Sequence, residues 1–464
     1  MSSPLISILL RPQHCDPMFL LRELGRNYEY GALLESLDRN HGKNDFSFLA
    51  LGNRDCITVK NGTATGSNRV PNRRVRDPLE PFETLIGKGH KGAFLSMGYI
   101  GFLSFEAMRM FDAVTLTPDP EIPDACFVLP EILLKIDHEK RIVTIVSHSD
   151  TNEDLAAIEA VILRSPYHDD AKNREIAKKQ PPMPDEENVQ LLRQTPHDLY
   201  CNNVKKAQNE ILKGEAFQIV LSQELRLDVD VPPVDVYQHL RHINPSPYMY
   251  YFKTPQRTIV GASPETLIRI DGRKMLYRPI AGTRKRTGDP VIDEQMKREL
   301  LADPKERCEH QMLVDLGRND VGRVATIGSV VVQHPFHLET YAHVIHIVSD
   351  VTAELRADCS ALDALRSVFP AGTLTGAPKL RAIEILRDLE KAPRGIYGGA
   401  FGYVDLSGNI DFAITIRTML FDARGITLRT GAGIVKDSIP EHEDEECMHK
   451  AKSCLAAVFA ASAS

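Results

Sequence analysis

Four glutamates carry the strongest chemical signal in this sequence. In DPKERCEHQMLVDL, Glu306 and Glu309 lie three positions apart; in SIPEHEDEECMHK, Glu443 and Glu446 repeat that spacing, and Lys450 follows four residues on. Asp303 as N-cap and Pro304 at the first helical position predict a helix start, and Ser438 opens a second capping-box pattern. Residues three and four apart share a helical face, so each pair of acids stands together. Glu309 is followed on its own face by Met312, Leu313 and Leu316, which sends a carboxylate along an apolar side where it is costly to bury uncompensated. Acids also favour helix N-termini through the macrodipole, so either cluster alone fits a plain helix start. Two clusters together point to an all-oxygen site suited to Mg2+, which keeps several waters and completes its shell with an anionic substrate.

Anion-binding features accompany these acids. RPIAGTRKR at 278–286 sets Gly282 and Thr283 among Arg278, Arg284, Lys285 and Arg286. Arg417 sits inside the apolar run IDFAITIRTML, where alternation puts it on one strand face with Asp411, Ala413, Thr415 and Met419. An arginine there requires an anion. Gly431-Ala432-Gly433 would let backbone N–H groups approach a ligand, although glycine at a strand end also marks a plain bulge.

The elements that must position these residues follow from bulk properties and periodicity. A chain of 464 residues exceeds the size at which one core stops growing, so two domains or one large double-sheet body are expected. A net charge of -7 argues against general affinity for nucleic acid or anionic membranes. The eight cysteines show no C-x-x-C pair or metal-finger spacing and read as reduced thiols. No segment approaches the ~20 apolar residues that span a bilayer, and a cytoplasmic protein is expected. Charge and paired prolines mark a linker at 166–195, between an N-terminal region 1–165 and a catalytic domain 196–460. Strands are predicted at 94–106, 125–137, 218–227, 258–263, 328–333, 343–351, 399–406, 411–421 and 426–435, with helices at 291–301 and 304–317. The expected class is mixed α/β of the α+β type: large β-sheets packed as a sandwich with helices outside.

PIAGTR, EHQMLVDLGRNDVGRV, HVIHIVSDV, PAGTLTGAPKLRAIEIL, YGGAFGYVDLSGNIDFAITIRT and GAGIVKDS, in that order over about 200–455, closely resemble the chorismate-utilising enzymes, anthranilate synthase large subunits among them. The resemblance implies that Gly282, Thr283, Thr373, Tyr397, Arg417, Gly431, Ala432, Gly433 and Lys450 hold chorismate, with Lys379 shaping the pocket. It implies Mg2+ ligation by Glu309 and Glu446, with Glu306 and Glu443 as companions acting through water. Glu265 in GASPETL matches the family glutamate that protonates a departing 4-hydroxyl. His346 shares a strand face with Val344 and Val348 and alone would read as a core histidine; its match to the family histidine implies assistance in elimination.

Two positions separate the branches of that family. Isochorismate and salicylate synthases carry a lysine at the position of Gln218, which in this chain cannot act as a general base, and aminodeoxychorismate synthases often carry one at the position of Ala281. Ammonia adding directly at C2, as in anthranilate synthase, is what remains. No glutaminase segment with a nucleophilic-cysteine elbow is found, so a separate glutamine amidotransferase subunit is the expected ammonia source. LLES at 33–36 and NPSPYM at 244–249 resemble a tryptophan feedback site, with Glu35, Ser36, Asn244, Pro247, Tyr248 and Met249 as contacts; LLES by itself reads as an amphipathic helix. Alternatives are an enzyme that stops at aminodeoxyisochorismate in a secondary pathway, and a non-catalytic chorismate or tryptophan sensor.

Overall fold

The computed structural model describes residues 6–37, 46–87, 98–147, 152–166, 193–341 and 344–463. Most of the expected linker, 167–192, therefore lies outside the described residues. Among those described, two large sheets contain eleven and twelve strands. The first runs from Ile6–Leu10 at one edge, through Gly31–Glu35, Tyr248–Lys253, Thr258–Ser263, Thr418–Asp422, Gly425–Ile434 and Gln218–Leu227, to Gly376–Ala377 at the other. The second starts from Ile280–Lys285 at one edge and runs through Val344–Glu354, Thr266–Asp271, Ile410–Ile414, Ala400–Asp405, Gly98–Leu103 and Ala125–Leu129. Both halves of the chain contribute to both sheets, so the sheets are continuous across the boundary read from composition.

The central strands are buried on both faces, and the inner faces of the two sheets meet. Tyr250 and Phe252 of the first sheet pack on Phe401 and Phe102 of the second, Tyr250 and Phe401 stacking with centroids 4.2 Å apart. The outer face of the first sheet is covered by helices Pro17–Gly25, Asn152–Leu163, Pro233–Ile243 and Pro440–Ser462, which bury Leu20, Ile158, Tyr237 and Leu455 against it. Helices Pro290–Ala302 and Pro304–Gly322 lie where 291–301 and 304–317 are predicted. Asp303 caps the second through Lys305 and Glu306 N–H groups.

Several sequence expectations are corrected. LLES is not helical: Gly31–Glu35 is a strand paired with Tyr248–Lys253, Glu35 opposite Met249. Four alternating apolar side chains fit either period, and the neighbouring strand decides. The run 411–421 is two strands, Ile410–Ile414 in the second sheet and Thr418–Asp422 in the first, so Arg417 has no place in a strand face; it occupies the crossing with φ +50°. The run 125–137 likewise divides at Pro130 into Ala125–Leu129 and Ile132–Asp137, one in each sheet. Ser438 does not cap the last helix, which starts at Pro440 after Ile439; its hydroxyl accepts from Val435 N–H instead.

Candidate active site

The site forms where adjacent strands cross from one sheet to the other. Glu265 lies between Thr258–Ser263 and Thr266–Asp271, and Arg417 between Ile410–Ile414 and Thr418–Asp422. The two corners are tied together. Ile414 N–H donates to Glu265 O at 3.0 Å, Ala262 N–H to Arg417 O at 3.1 Å, and the Ser263 hydroxyl to Ile414 O at 2.7 Å. A corner of this kind releases side chains from the pleat and fixes their backbone by cross-strand bonds.

Burial pushes the Glu265 carboxyl up to about 8, so it is predominantly protonated at neutral pH. The Thr373 hydroxyl lies beside it and offsets part of that rise, without a hydrogen bond of ordinary geometry. Arg417 is lowered, chiefly by burial, and its guanidinium makes no ion pair or hydrogen bond among the described residues. Thr415 beside it and Thr430 beside Gly431 also bury hydroxyls with no protein partner among the described residues. Desolvated donors without acceptors are a site built for an anionic, oxygen-rich ligand.

His346 stands on the strand Val344–Glu354 opposite Thr283. Its Nδ1 lies 3.0 Å from Gly282 O and 3.1 Å from the Thr283 hydroxyl. A carbonyl only accepts, so Nδ1 carries the proton and Nε2 keeps a lone pair. Burial, reinforced by Arg417 and Lys450, holds the imidazole down at about 4, hence neutral. Gly282 lies at the bulge in the strand Ile280–Lys285 with φ +69°, a conformation that disfavours any side chain.

On the facing wall, Lys450 Nζ donates to Gly431 O at 2.8 Å and pairs with Glu446 at 2.6 Å. Gly431 is required by space: a Cβ there would fall 2.6 Å from the Tyr397 hydroxyl and 2.7 Å from Leu221 O. Gln218, beside Gly433, donates Nε2–H to Glu309 at 2.9 Å. Lys379 is committed elsewhere, buried against Asp320 at 2.6 Å and Val368 O.

The acids from the two helices approach one another. Glu309 is raised by burial and by the carboxylates of Glu306 and Glu446; Glu443 is raised by burial and by Glu446. Glu306 is paired with Arg284 at 2.8 Å. Among the described residues, no three His, Cys, Asp or Glu side chains are gathered as a ready metal cage. Two raised carboxyls repelled by two others nevertheless leave an excess of negative potential that a divalent cation would relieve, and the donor set is all oxygen, as Mg2+ prefers.

Of the residues expected to contact tryptophan, the ends of LLES and NPSPYM are brought side by side, Glu35 next to Met249 and Leu37 N–H on Ser246 O. Glu35 is buried with both oxygens engaged, by Arg241 at 2.7 and 2.8 Å, Tyr237 at 2.7 Å and Ser47 at 3.2 Å. Ser36 is half-buried at the strand end. Asn244 ends helix Pro233–Ile243, and Pro247 is half-buried just before the following strand. Tyr248 and Met249 point to opposite faces: the Tyr248 hydroxyl reaches Asp411 at 2.8 Å between the sheets, while Met249 is buried under the helices.

Residues not anticipated from sequence include Glu106 and a buried group of Glu390, Arg394 and Arg429 behind Tyr397. A second clamp is Asp444, held by Arg193, His197 and Gln223 between the strand Gln218–Leu227 and the last helix.

Residues 33–456 match the family described as chorismate binding enzyme. Anthranilate synthase component 1 of Acetivibrio thermocellus is 39% identical over 439 residues, covering 90% of this chain and 86% of that protein. That of Thermus thermophilus is 38% identical over 461 residues, covering 96% of each. The crystal structure of anthranilate synthase component I from Streptococcus pneumoniae superposes with a TM-score of 0.74 at 33% identity, covering 89% of this chain and 92% of that one. The menaquinone-specific isochorismate synthase of Escherichia coli shares the fold, with a TM-score of 0.71 at 18% identity, covering 98% of this chain and 95% of that one. The chain belongs to the chorismate-binding enzymes, in the anthranilate synthase component 1 family.

Proposed function

We propose that this chain converts chorismate and ammonia to anthranilate and pyruvate. The observation that carries the reading is the pairing, at adjacent corners, of a half-buried guanidinium that has no ion pair or hydrogen bond among the described residues with a carboxylic acid kept protonated by burial. Arg417, Tyr397, Lys450 and the Gly431 backbone anchor carboxylate and hydroxyl groups and so fix the ring. Glu265 gives its proton to the 4-hydroxyl as ammonia forms a bond to C2, and water leaves; a carboxyl held near 8 is suited to that donation. Nε2 of neutral His346 then takes the C2 proton as the C3–O bond to enolpyruvate breaks and the ring becomes aromatic. Glu309 and Glu446, with Glu306 and Glu443 behind them, would hold Mg2+, which when bound neutralises a substrate carboxylate.

Gln218 supports amination over hydration, since an amide hydrogen-bonded to Glu309 is no base for water. A glutamine amidotransferase subunit would supply the ammonia, in keeping with the component 1 designation of the relatives. Tryptophan is the proposed feedback ligand, bound where Ser36 meets the 244–249 segment. The purified chain given chorismate, Mg2+ and an ammonium salt at mildly alkaline pH should develop anthranilate fluorescence, and with glutamine in place of ammonium it should not. Glutamine-dependent turnover by the isolated chain would remove the two-subunit reading; no product with ammonium would remove the activity itself.

A further inference from the structure

We propose that Arg394 is the positioning residue of the active-site wall, one buried guanidinium that sets the relative placement of three segments, each of which carries a site residue. Its side chain is 2% exposed. Nη2 donates to Val220 O at 2.7 Å, on the strand that begins with Gln218. Nη1 donates to Leu374 O at 2.7 Å, immediately after Thr373. The guanidinium plane lies 5.7 Å from the Tyr397 ring and 4.7 Å from Phe105. Its orientation is set by Glu390, which accepts from Nε at 2.8 Å and Nη2 at 2.7 Å and is itself steadied by Ser222 and Arg429. The Arg394 backbone is fixed from the other half of the chain, where Glu106 accepts from Arg394 N–H at 2.6 Å and Gly395 N–H at 3.0 Å.

This geometry exceeds what the fold alone needs. A buried ion pair is poor stabilisation compared with apolar packing, so four directed side-chain hydrogen bonds are of use mainly for specifying position. The carbonyls they hold belong to no common element: one lies in a sheet strand, the other in the 3-10 turn Gly372–Leu374. Lysine retains the charge and loses the fork, and so cannot hold both carbonyls while remaining paired with Glu390.

The inference rests on the chorismate reading of the site. Arg394→Lys and Arg394→Met are compared with the parent chain for kcat, KM for chorismate, pH profile and thermal stability. In Arg394→Met, Glu390 would keep Arg429, which lies 3.3 Å from it in the parent chain, as a partner. Folded variants should show KM raised about tenfold or more with a smaller fall in kcat, and an alkaline limb displaced upward because Thr373 no longer sits beside Glu265. A purely structural arginine would lower thermal stability and leave KM and the pH limb of the folded enzyme where they are; that result in either variant overturns the proposal. Failure of both to fold would assign Arg394 to the scaffold and also overturn it. An inactive parent chain would instead remove the chorismate reading, which separates the two failures.

Discussion

Glu265 has two opposing consequences at the scale of one residue. Its folded-state value of about 8, against an ordinary 4.5, means that the native protein keeps this proton over a window in which the unfolded chain has released it. Stability therefore falls as pH rises from 4.5 to 8, by up to ~1.4 kcal/mol per pH unit, and is not regained above that window. Glu265→Gln removes the titration. The variant should lose about 10^2- to 10^4-fold in anthranilate formation. Its melting temperature should match the parent's at about pH 4 and exceed it at about pH 8.5. Parallel melting curves across that range would show that the carboxyl is not held protonated.

The element scale is governed by how closely strands and helices approach around the ligand. The strand Gly425–Ile434 passes so near Tyr397 and the Leu221 carbonyl that Gly431→Ala places a methyl group against backbone as well as a side-chain hydroxyl. The strand cannot yield without disturbing its register with Gln218–Leu227, so the substitution should cost ~1–3 kcal/mol and raise KM for chorismate. Denaturant unfolding together with initial rates would check both effects. The two acidic helices make a different prediction. Glu309→Gln removes one of the mutually repelling carboxyls, so the chain should fold at least as well as the parent and lose activity most at low Mg2+. Calorimetric titration with Mg2+ alone provides a readout independent of turnover, and unchanged affinity would take Glu309 out of the metal site.

For the molecule as a whole, the continuous sheets connect the proposed tryptophan site to the proposed active site. Met249 is paired with Glu35 on one side and Ala262 on the other, three residues before Glu265. A ligand that draws Ser36 and the 244–249 segment together would bias the corner at Glu265, and linkage would then make chorismate weaken that ligand by the same factor. Tryptophan should bind the parent chain in calorimetry and reduce its rate. Ser36→Arg should abolish the inhibition and leave the uninhibited rate within about twofold. Glu35 is better regarded as the anchor of the strand than as a contact for the amino-acid head group, because Arg241 and Tyr237 already occupy its oxygens.

The sequence alone determined the elements whose signals are local. The proline-capped acidic helix at Pro304 and the strands Gln218–Leu227 and Thr258–Ser263 followed from period and capping residues, while the proposed ligands came from the resemblance carried by the ordered motifs. What it could not determine was where a strand changes sheet. Residues 411–421 stay largely apolar without clear alternation because both strands are buried on two faces, so periodicity carries no mark of the corner at Arg417. LLES is short enough to satisfy either period, and only the pairing of Glu35 with Met249 makes it a strand. The hub at Arg394 was equally silent, because its partners, Glu106, Val220 and Leu374, are scattered along the chain. Local propensity is written in neighbouring residues; desolvation, sheet exchange and the meeting of Glu265 with Arg417 depend on contacts between distant ones, which only the tertiary structure supplies.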